Sequence, residues 1–324
     1  MRSPSSGSRA KDEGRRTKDE GARKGTATTD TAPLHEPVLL EEALSFLLPE
    51  RGGTYVDCTL GLGGHARALL ERGADRVIGL DRDVEALKVA KERLAAFEGR
   101  VEYVHADYRT LVDILESRGI VAVDAVLADL GVSSLQFDGE GRGFSFRRDE
   151  PLDMRMDRSR GPTAADLVND ASERELADVI FQFGEERHSR RIARTLVAHR
   201  PIRTTGELAS LVRRAVPTRG WQRIDPATRT FQALRIWVNG ELDGLDRFVQ
   251  DAAARLAGNG RLAVITFHSL EDRVVKHTMR ALAKAGTGLQ VLTKKPVTAG
   301  EAELDRNPRA RSAKLRGLVR DMAA

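Results

Sequence analysis

A glycine-rich turn followed by a distant acid is the strongest chemical signal in the sequence. Gly61, Gly63 and Ala66 fit the pattern G-x-G-x-x-G/A, and Asp81 follows Gly61 by 20 residues. Glycines let the main chain approach a ligand at a helix N-terminus, and a carboxylate at this spacing accepts hydrogen bonds from ribose hydroxyls. The pattern predicts a cofactor that contains adenosine. It fits a nicotinamide dinucleotide and S-adenosylmethionine equally, since both carry that ribose.

Asp129 is a second candidate for chemistry. It closely follows a short apolar run, residues 123–127, that is typical of a buried strand. Open α/β sheets bind ligands beyond the carboxyl ends of their strands, so a carboxylate there can accept a hydrogen bond from a substrate amine. The alternative is that Asp129 caps the segment that follows.

Two nearby side chains have less specific interpretations. His65 lies in the glycine turn, where it could act as a base, pack beside a ligand or donate to the main chain. Cys58 is the only cysteine, so the chain offers neither an internal disulfide nor a cysteine-based zinc site. No histidine and carboxylate cluster has metal-ligand spacing, and we expect no metal.

The elements that must position these residues alternate between strand and helix. Apolar runs at residues 54–57, 76–81, 101–104 and 123–127 predict strands, and helical patterns separate them. Asp83 is a predicted N-cap for the helix after the second strand. Four alternations within about 80 residues favour a parallel, doubly wound sheet.

The alternation stops after Asp129, and residues 140–240 show only helix signals. Capping boxes at residues 172–175 and 204–207 predict two helix starts, with Gly184 ending the first of these helices. Strand patterning returns at residues 262–267, with Ser269 as the predicted cap of the next helix. The apolar runs 289–292 and 315–319 predict a final antiparallel pair. We therefore expect one α/β domain interrupted by a helical insertion.

Composition indicates a soluble, cytoplasmic, globular protein. The 324 residues are 40% apolar and 31% charged. No apolar run approaches the roughly 18 residues of a membrane span, and the N-terminus lacks the apolar core of a signal peptide, so no membrane partner is expected. Residues 1–33 carry eight Lys and Arg against five acids and predict a disordered basic tail.

The remaining charge is segregated. Residues 187–235, here called the arginine segment, contain twelve Arg, no Lys and two acids. Guanidinium groups bind phosphates bidentately and stack on bases, which favours nucleic-acid binding. The alternative is a helical surface whose Arg stems cover apolar residues.

Taken together, these residues resemble the bacterial ribosomal RNA small subunit methyltransferase H family, also called MraW, over residues 35–320. The resemblance depends on several long strings. They are HEPVLL (35–40), GLGGH (61–65), DLGVSS (129–134), RGFSF (142–146), PLDMRMD (151–157), PATRTFQALR (226–235), FHSLEDR (267–273) and NPRAR (307–311).

The resemblance implies S-adenosylmethionine-dependent methylation of the N4 atom of a cytidine in the decoding region of 16S ribosomal RNA. The small ribosomal subunit is then the partner, and a homodimer is allowed. The implied cofactor contacts are Gly63, Gly64, His65, Asp81, Tyr108, Asp129 and Gln136. Asp129 is also the candidate catalytic residue.

The implied fold is Rossmann-like, the class I S-adenosylmethionine methyltransferase fold with a doubly wound sheet and an inserted all-helical domain. Residues 34–139 together with 241–324 would form the discontinuous methyltransferase domain. Residues 140–240 would form the inserted domain that recognises RNA.

One departure concerns the segment after Asp129. Many amino-directed methyltransferases have a Pro-Pro-aromatic element there, whereas this chain has Leu130-Gly131-Val132. The aromatic ring that holds the cytosine must then come from elsewhere, and Phe144 and Phe146 are the candidates. Two other functions stay open at this point: an NAD-dependent oxidoreductase, and a non-catalytic RNA-binding module with a vestigial pocket.

Overall fold

The structure is a computed structural model that describes residues 36–133, 136–137, 139–217 and 224–322. These residues belong to one compact unit, which spans residues 35–324. The predicted tail, residues 1–33, lies outside the described residues. Within the described ranges, no helix is long and apolar enough to cross a membrane.

A seven-stranded sheet forms the centre of the fold, in the order β3-β2-β1-β4-β5-β7-β6. The strands are β1 (Thr54–Asp57), β2 (Arg76–Asp81), β3 (Val101–His105), β4 (Val123–Asp129), β5 (Leu256–Thr266), β6 (Leu289–Val291) and β7 (Lys314–Arg320). Strands β1 to β5 run parallel, and β7 lies antiparallel between β5 and β6, so the predicted final pair is confirmed. The strand order reverses at β1, between β2 and β4, which is the point where open α/β sheets bind ligands.

Helices precede and connect these strands. They are α1 (Leu40–Leu47), α2 (Gly64–Glu71), α3 (Val84–Arg93), α4 (Leu111–Glu116), α5 (Ala164–Asp170), α6 (Glu173–Gly184), α7 (Ser189–Ala198), α8 (Thr205–Ala215), α9 (Ala227–Asn239), α10 (Leu245–Ala254), α11 (Ser269–Lys284) and α12 (Glu301–Arg306). Helices α1 to α3 share one apolar core with Tyr55 and Val77, whereas α4, α10 and α11 share another with Val56 and Val126. Since Tyr55 and Val56 are consecutive in β1, their side chains point to opposite faces. The doubly wound, Rossmann-like α/β class is therefore confirmed.

Helices α5 to α9 have a separate apolar core. Leu152, Met154, Ile192 and Leu208 are fully buried within it. Every element of regular secondary structure that is described between residues 140 and 240 is a helix, as the sequence predicts. The proposed domain boundaries at residues 140 and 240 stay a prediction, because residues 35–324 form one compact unit.

Three of the predicted N-caps are confirmed. Asp83 caps α3 by accepting the N–H of Glu85 at 3.1 Å. Thr204 and Glu207 form the predicted reciprocal box at the start of α8. Ser172 caps α6 by accepting the N–H of Glu175 at 3.2 Å. These signals depend only on residues within one turn, which is why the local sequence is enough to predict them.

One predicted helix cap is wrong, and one predicted helix end is confirmed but has a different physical basis. His268, not Ser269, caps α11, because its side chain accepts the N–H of Glu271. Helix α6 does end at Gly184, but the left-handed residue that terminates it is Glu185, with φ of 49°. Gly184 is needed for packing instead, since a Cβ there would lie 2.6 Å from the carbonyl oxygen of Arg229 in α9.

Candidate active site

A cavity of about 580 Å³ lies at the carboxyl ends of β1, β2 and β4. It is lined by the turn around Gly61, by the two acids Asp81 and Asp129, and by residues such as Phe146 and Arg235 of the helical segment, the name used here for residues 140–240. This volume lies within the usual range of small-molecule and cofactor sites, about 300–1,000 Å³. The sheet edge and the helical segment therefore enclose one site.

The glycine turn connects β1 to α2 and forms one side of the cavity. Gly61 has φ of 52°, a left-handed conformation that glycine adopts without strain. A Cβ on Gly64 would lie 2.4 Å from Cγ of Pro37, so this position requires glycine. Gly64 and His65 line the cavity, as the predicted cofactor contacts should.

Gly63 differs from the other predicted contacts. It is absent from the lining of the cavity, and its N–H donates to the carbonyl of Leu60 at 2.8 Å. A Cβ at this position would lie 2.8 Å from Cδ1 of Leu94. The structure thus explains Gly63 by the close packing of the turn against the end of α3.

Asp81 ends β2, and the glycine turn itself orients its carboxylate. Oδ2 accepts the N–H of Gly61 at 2.7 Å, and Oδ1 accepts the N–H of Asp83 at 2.8 Å. Burial raises the pKa of Asp81 to about 6, against the opposing effect of these two bonds. The predicted acid and the predicted turn therefore form one bonded unit.

Asp129 ends β4, and its N–H donates to Oγ1 of Thr59 at 2.6 Å. Its Oδ1 atom is buried and has no hydrogen-bond partner among the residues that the structure describes. Burial, with the negative charges of Asp57 and Glu271, raises the pKa of Asp129 well above its usual value. A carboxylate with such a pKa, in the wall of a cavity, is suited to accept a proton.

His65 contacts both the main chain and the region of Asp129. Its Nε2 lies 3.1 Å from the carbonyl oxygen of Val38, so Nε2 carries the hydrogen and donates. Its Nδ1 lies 3.8 Å from Oδ2 of Asp129. The predicted donation from His65 to the main chain is therefore present in the structure.

Tyr108 and Gln136 also line the cavity, on the side of β3 and α3. The Tyr108 hydroxyl donates to the carbonyl oxygen of Glu241 at 3.3 Å, and its ring lies 4.6 Å from that of Phe248. Nε2 of Gln136 donates to Oδ2 of Asp83 at 3.0 Å. The structure thus brings six of the seven predicted cofactor contacts to one cavity.

A buried ion pair joins the site to the helical segment, and no sequence pattern indicates it. Nη2 of Arg142 donates to Oδ2 of Asp83 at 2.8 Å and to the carbonyl oxygen of Met156 at 3.1 Å. Arg82, the residue between the two acids of the β2–α3 loop, donates to the carbonyl oxygen of Asn239 at 3.1 Å. The loop that carries Asp81 is therefore tied to the helical segment at two points.

A second group that the sequence does not predict consists of Arg235, Glu241, His268 and Glu271, all of which line the cavity. Arg235 donates to both carboxylate oxygens of Glu241, at 2.8 and 2.7 Å. Nε2 of His268 lies 3.2 Å from Oε1 of Glu271 and 4.0 Å from Oε2 of Glu241. Glu271 is thus more than an acid near a helix start, since it belongs to this group in the cavity wall.

The charges of this group are largely compensated within the chain. Burial by itself would raise the pKa of Glu271, but the His268 side chain and Arg235 outweigh it and hold the pKa below its usual value. The geometry of Glu241, His268 and Glu271 would also suit a cation, since their ligand atoms lie within 4.8 Å of one another. The Arg235 guanidinium already supplies a positive charge at Glu241.

The two candidate aromatic residues lie in the same cavity. Phe144 is buried, and Phe146 is in edge contact with Phe231, with ring centroids 4.8 Å apart. The guanidinium of Arg213 lies 5.5 Å from the Phe146 centroid. Their role in holding a base stays a prediction.

The arginine segment does not act as one solvated face. Several members are used internally: Arg200 donates to the carbonyl oxygen of Val168, and Arg213 pairs with Asp225. Four exposed members, Arg187, Arg190, Arg191 and Arg194, lie in or just before α7. Arg203, Arg213, Arg214 and Arg229 are also exposed. Arg219 and Arg223 lie outside the described residues. The exposed arginines are therefore most closely spaced along the chain at α7.

Comparison with known proteins gives consistent results over nearly the whole chain. The profile of the MraW methylase family matches residues 32–321. A protein of Gloeobacter violaceus named "Ribosomal RNA small subunit methyltransferase H" is 52% identical over 293 residues, which is 90% of each chain. Proteins with the same name from Koribacter versatilis and Acidobacterium capsulatum are 50% and 51% identical, over 88% and 87% of this chain and 94% and 97% of theirs.

Proposed function

This chain belongs to the MraW methylase family, and we propose that it transfers a methyl group from S-adenosylmethionine to N4 of a cytidine in the 16S RNA of the small ribosomal subunit. The observation that carries the proposal is that Asp81 and Asp129 line one cavity at the switch point of the sheet. Membership in a family of methylases also disfavours the oxidoreductase that the glycine turn by itself would allow. We assign the reaction to the cytoplasm.

The residues of the cavity fit S-adenosylmethionine. Asp81 is held where a carboxylate binds ribose hydroxyls, and Gly61 and Gly64 leave the main chain accessible beside it. We assign Tyr108 to the adenine, and His65 and Gln136 to the remaining contacts. When bound, this cofactor supplies a methyl group on a positively charged sulfonium.

Asp129 is the group that we assign to the amine. The N4 lone pair of cytosine is delocalised into the ring, so the amine needs an acceptor that favours its nucleophilic form. Methylation replaces one of the two N4 hydrogens, and the proton that leaves must be accepted. Oδ1 of Asp129 is buried without a partner in the described chain, and the raised pKa of this carboxyl suits it to take that proton.

The helical segment, residues 140–240, is the part to which we assign RNA recognition. The exposed arginines of α7 supply phosphate contacts, and Phe144 or Phe146 supplies a ring on which a splayed base can stack. The contacts of Arg142 and Arg82 join this segment to the β2–α3 loop. The part of the protein assigned to RNA would therefore be bonded directly to the loop that carries the cofactor contact Asp81.

The test is methyl transfer to small ribosomal subunits that lack the modification, followed by mass spectrometry of the 16S RNA. Asp129→Asn keeps the shape and one acceptor oxygen but loses the charge. We expect its single-turnover rate at saturating cofactor to fall roughly 10²–10⁴-fold, the usual contribution of one positioned proton acceptor. Cofactor affinity, measured by calorimetry, should change little.

Asp113→Asn, at an exposed aspartate of α4, is the matched control and should react like the wild type. Loss of cofactor affinity in proportion to rate would make Asp129 a pocket residue only. A wild-type protein that leaves the N4 position of the 16S RNA unmodified would refute the proposed function itself.

A further inference from the structure

His268 and Glu271 form a donor–acceptor pair in the cavity wall that the chemistry above does not use. Their side chains are only 5% and 2% exposed, and both line the cavity with Asp129. Nε2 of His268 lies 3.2 Å from Oε1 of Glu271, yet no group in the described chain makes a hydrogen bond of good geometry with it. Buried polar atoms in native proteins nearly always have partners, so a partner from outside the chain is expected.

Hydrogen bonds within the N-terminal turn of α11 fix which atom donates. Nδ1 of His268 accepts the N–H of Glu271 at 3.3 Å, so in the neutral ring Nε2 carries the hydrogen. Oε2 of Glu271 accepts the N–H groups of Phe267 and His268, at 2.9 and 3.3 Å. The side-chain atoms left for a ligand are therefore an N–H donor and a carboxylate acceptor, side by side.

We propose that His268 and Glu271 read the Watson–Crick edge of the target base and so select cytosine over uracil. The proposal rests on the cytidine methylation proposed above. Cytosine presents the acceptor N3 beside the donor N4, so Nε2 of His268 donates to N3 while Oε1 of Glu271 accepts one N4 hydrogen. Uracil presents the donor N3–H and the acceptor O4 instead. The N–H of His268 would then face another donor, and the carboxylate of Glu271 would face another acceptor.

The second N4 hydrogen explains why Glu271 and Asp129 are both present. Glu271 accepts a hydrogen bond from the N4 hydrogen that remains after methylation. Asp129 accepts the proton that the methyl group replaces. The two carboxylates are close enough that the charge of Glu271 contributes to the raised pKa of Asp129. Two acceptors on one amine would orient it and leave its lone pair free to react.

Glu241 and Arg235 lie beside the pair, with Oε2 of Glu241 4.0 Å from Nε2 of His268. Both carboxylate oxygens of Glu241 accept from Arg235, and the main-chain oxygen of Glu241 accepts from the hydroxyl of Tyr108, an assigned cofactor contact. Glu241 thus connects Arg235 to a residue that we assign to the cofactor. A divalent cation is the other ligand that two carboxylates and an imidazole suit, but the guanidinium of Arg235 already occupies Glu241.

The experiment removes the hydrogen bond from Nε2 of His268 to N3 of the base, once by changing the base and once by changing the protein. The substrates are small subunits reconstituted with 16S RNA that carries either cytidine or 3-deazacytidine at the target, since the analogue replaces N3 by C–H. His268→Asn removes the Nε2 donor but keeps a good N-cap for α11. We expect the wild type to lose about 10- to 100-fold in kcat/KM on the analogue, as for one specific base contact.

His268→Asn should lose a similar factor on cytidine and show no further loss on the analogue. Because the cycle compares the same analogue in two proteins, any change in the reactivity of the amine cancels. Glu271→Gln should lower kcat/KM on cytidine but keep the analogue penalty, since His268 remains. Calorimetry should show unchanged S-adenosylmethionine affinity in both variants, which separates base reading from damage to the cofactor site.

Glu185→Gln is the matched control, because Glu185 is exposed and bonds Ser269 and Arg273 of the same helix. It should keep wild-type kcat/KM and the full analogue penalty. An analogue penalty equal in the wild type and His268→Asn overturns the base-reading proposal, as does a rate that a chelator abolishes. In either case a wild type that methylates cytidine leaves the proposed function standing.

Discussion

Asp57 carries a buried charge that a single substitution can remove. It ends β1 with 1% exposure, its Oδ1 accepts the N–H of Thr59 at 3.1 Å, and its Oδ2 has no partner among the residues described. Burial is the main reason that its pKa is raised to about 7, and the charge of Asp81 adds to the effect. Asp57→Asn keeps the shape and the bond to Thr59 but not the charge.

The size of the effect follows from the two ionisation states. An unfolded aspartate titrates near 4, so a folded-state pKa of about 7 corresponds to ~4 kcal/mol at about 1.36 kcal/mol per pH unit. Because the folded protein holds this proton more tightly than the unfolded chain, the free energy of unfolding falls as pH rises from about 4 to about 7. Asp57→Asn lacks this loss, so its advantage should be absent near pH 4 and reach up to ~4 kcal/mol at pH 8.

Urea denaturation at several pH values between 4 and 8 measures this difference. Asp113→Asn is the surface control, and its effect should stay within about 0.5 kcal/mol. A stability difference between Asp57→Asn and the wild type that does not change with pH would refute the reasoning. The charge of Asp57 also raises the pKa of Asp129, so methyl transfer by Asp57→Asn should persist to lower pH than in the wild type.

Three further predictions concern the cofactor contact of Asp81, the binding of RNA by α7, and the buried ion pair between Arg142 and Asp83. Asp81→Ala should weaken S-adenosylmethionine binding by about 1.5–3 kcal/mol while the protein stays folded, and unchanged affinity by calorimetry would contradict the ribose assignment. Replacing Arg190 and Arg194 by Gln should lower RNA affinity and reduce the slope of log affinity against log salt by about 1 for each arginine that binds a phosphate, whereas an unaltered slope would indicate a merely solvated helix face. Arg142→Met should destabilise the fold by about 3–5 kcal/mol because Asp83 is left buried without its cation, and adding Asp83→Asn should recover part of that stability in chemical denaturation.

The elements of this protein were largely determined by local sequence. Strand β1 is predicted at residues 54–57 and is found there, and Asp83 and Thr204 cap the helices that they are expected to cap. Strand periodicity and N-caps involve residues a few positions apart, so their energetics can be read without knowing the fold. The spacing of Asp81 from Gly61 likewise indicates that the acid and the turn act together, and the structure contains a bond between them.

The tertiary structure decided what those elements bring together. His268 and Glu241 lie 27 positions apart, and Asp83 and Arg142 lie 59 apart, so no periodic pattern links them. The pKa values of Asp57, Asp81 and Asp129 depend on burial and on neighbouring charges, which the fold alone supplies. The sequence by itself therefore determined the sheet, its helices and the acids at its edge, because those depend on short-range geometry. Only the packing of the helical segment against that edge decided which groups share the cavity and how strongly each holds its proton.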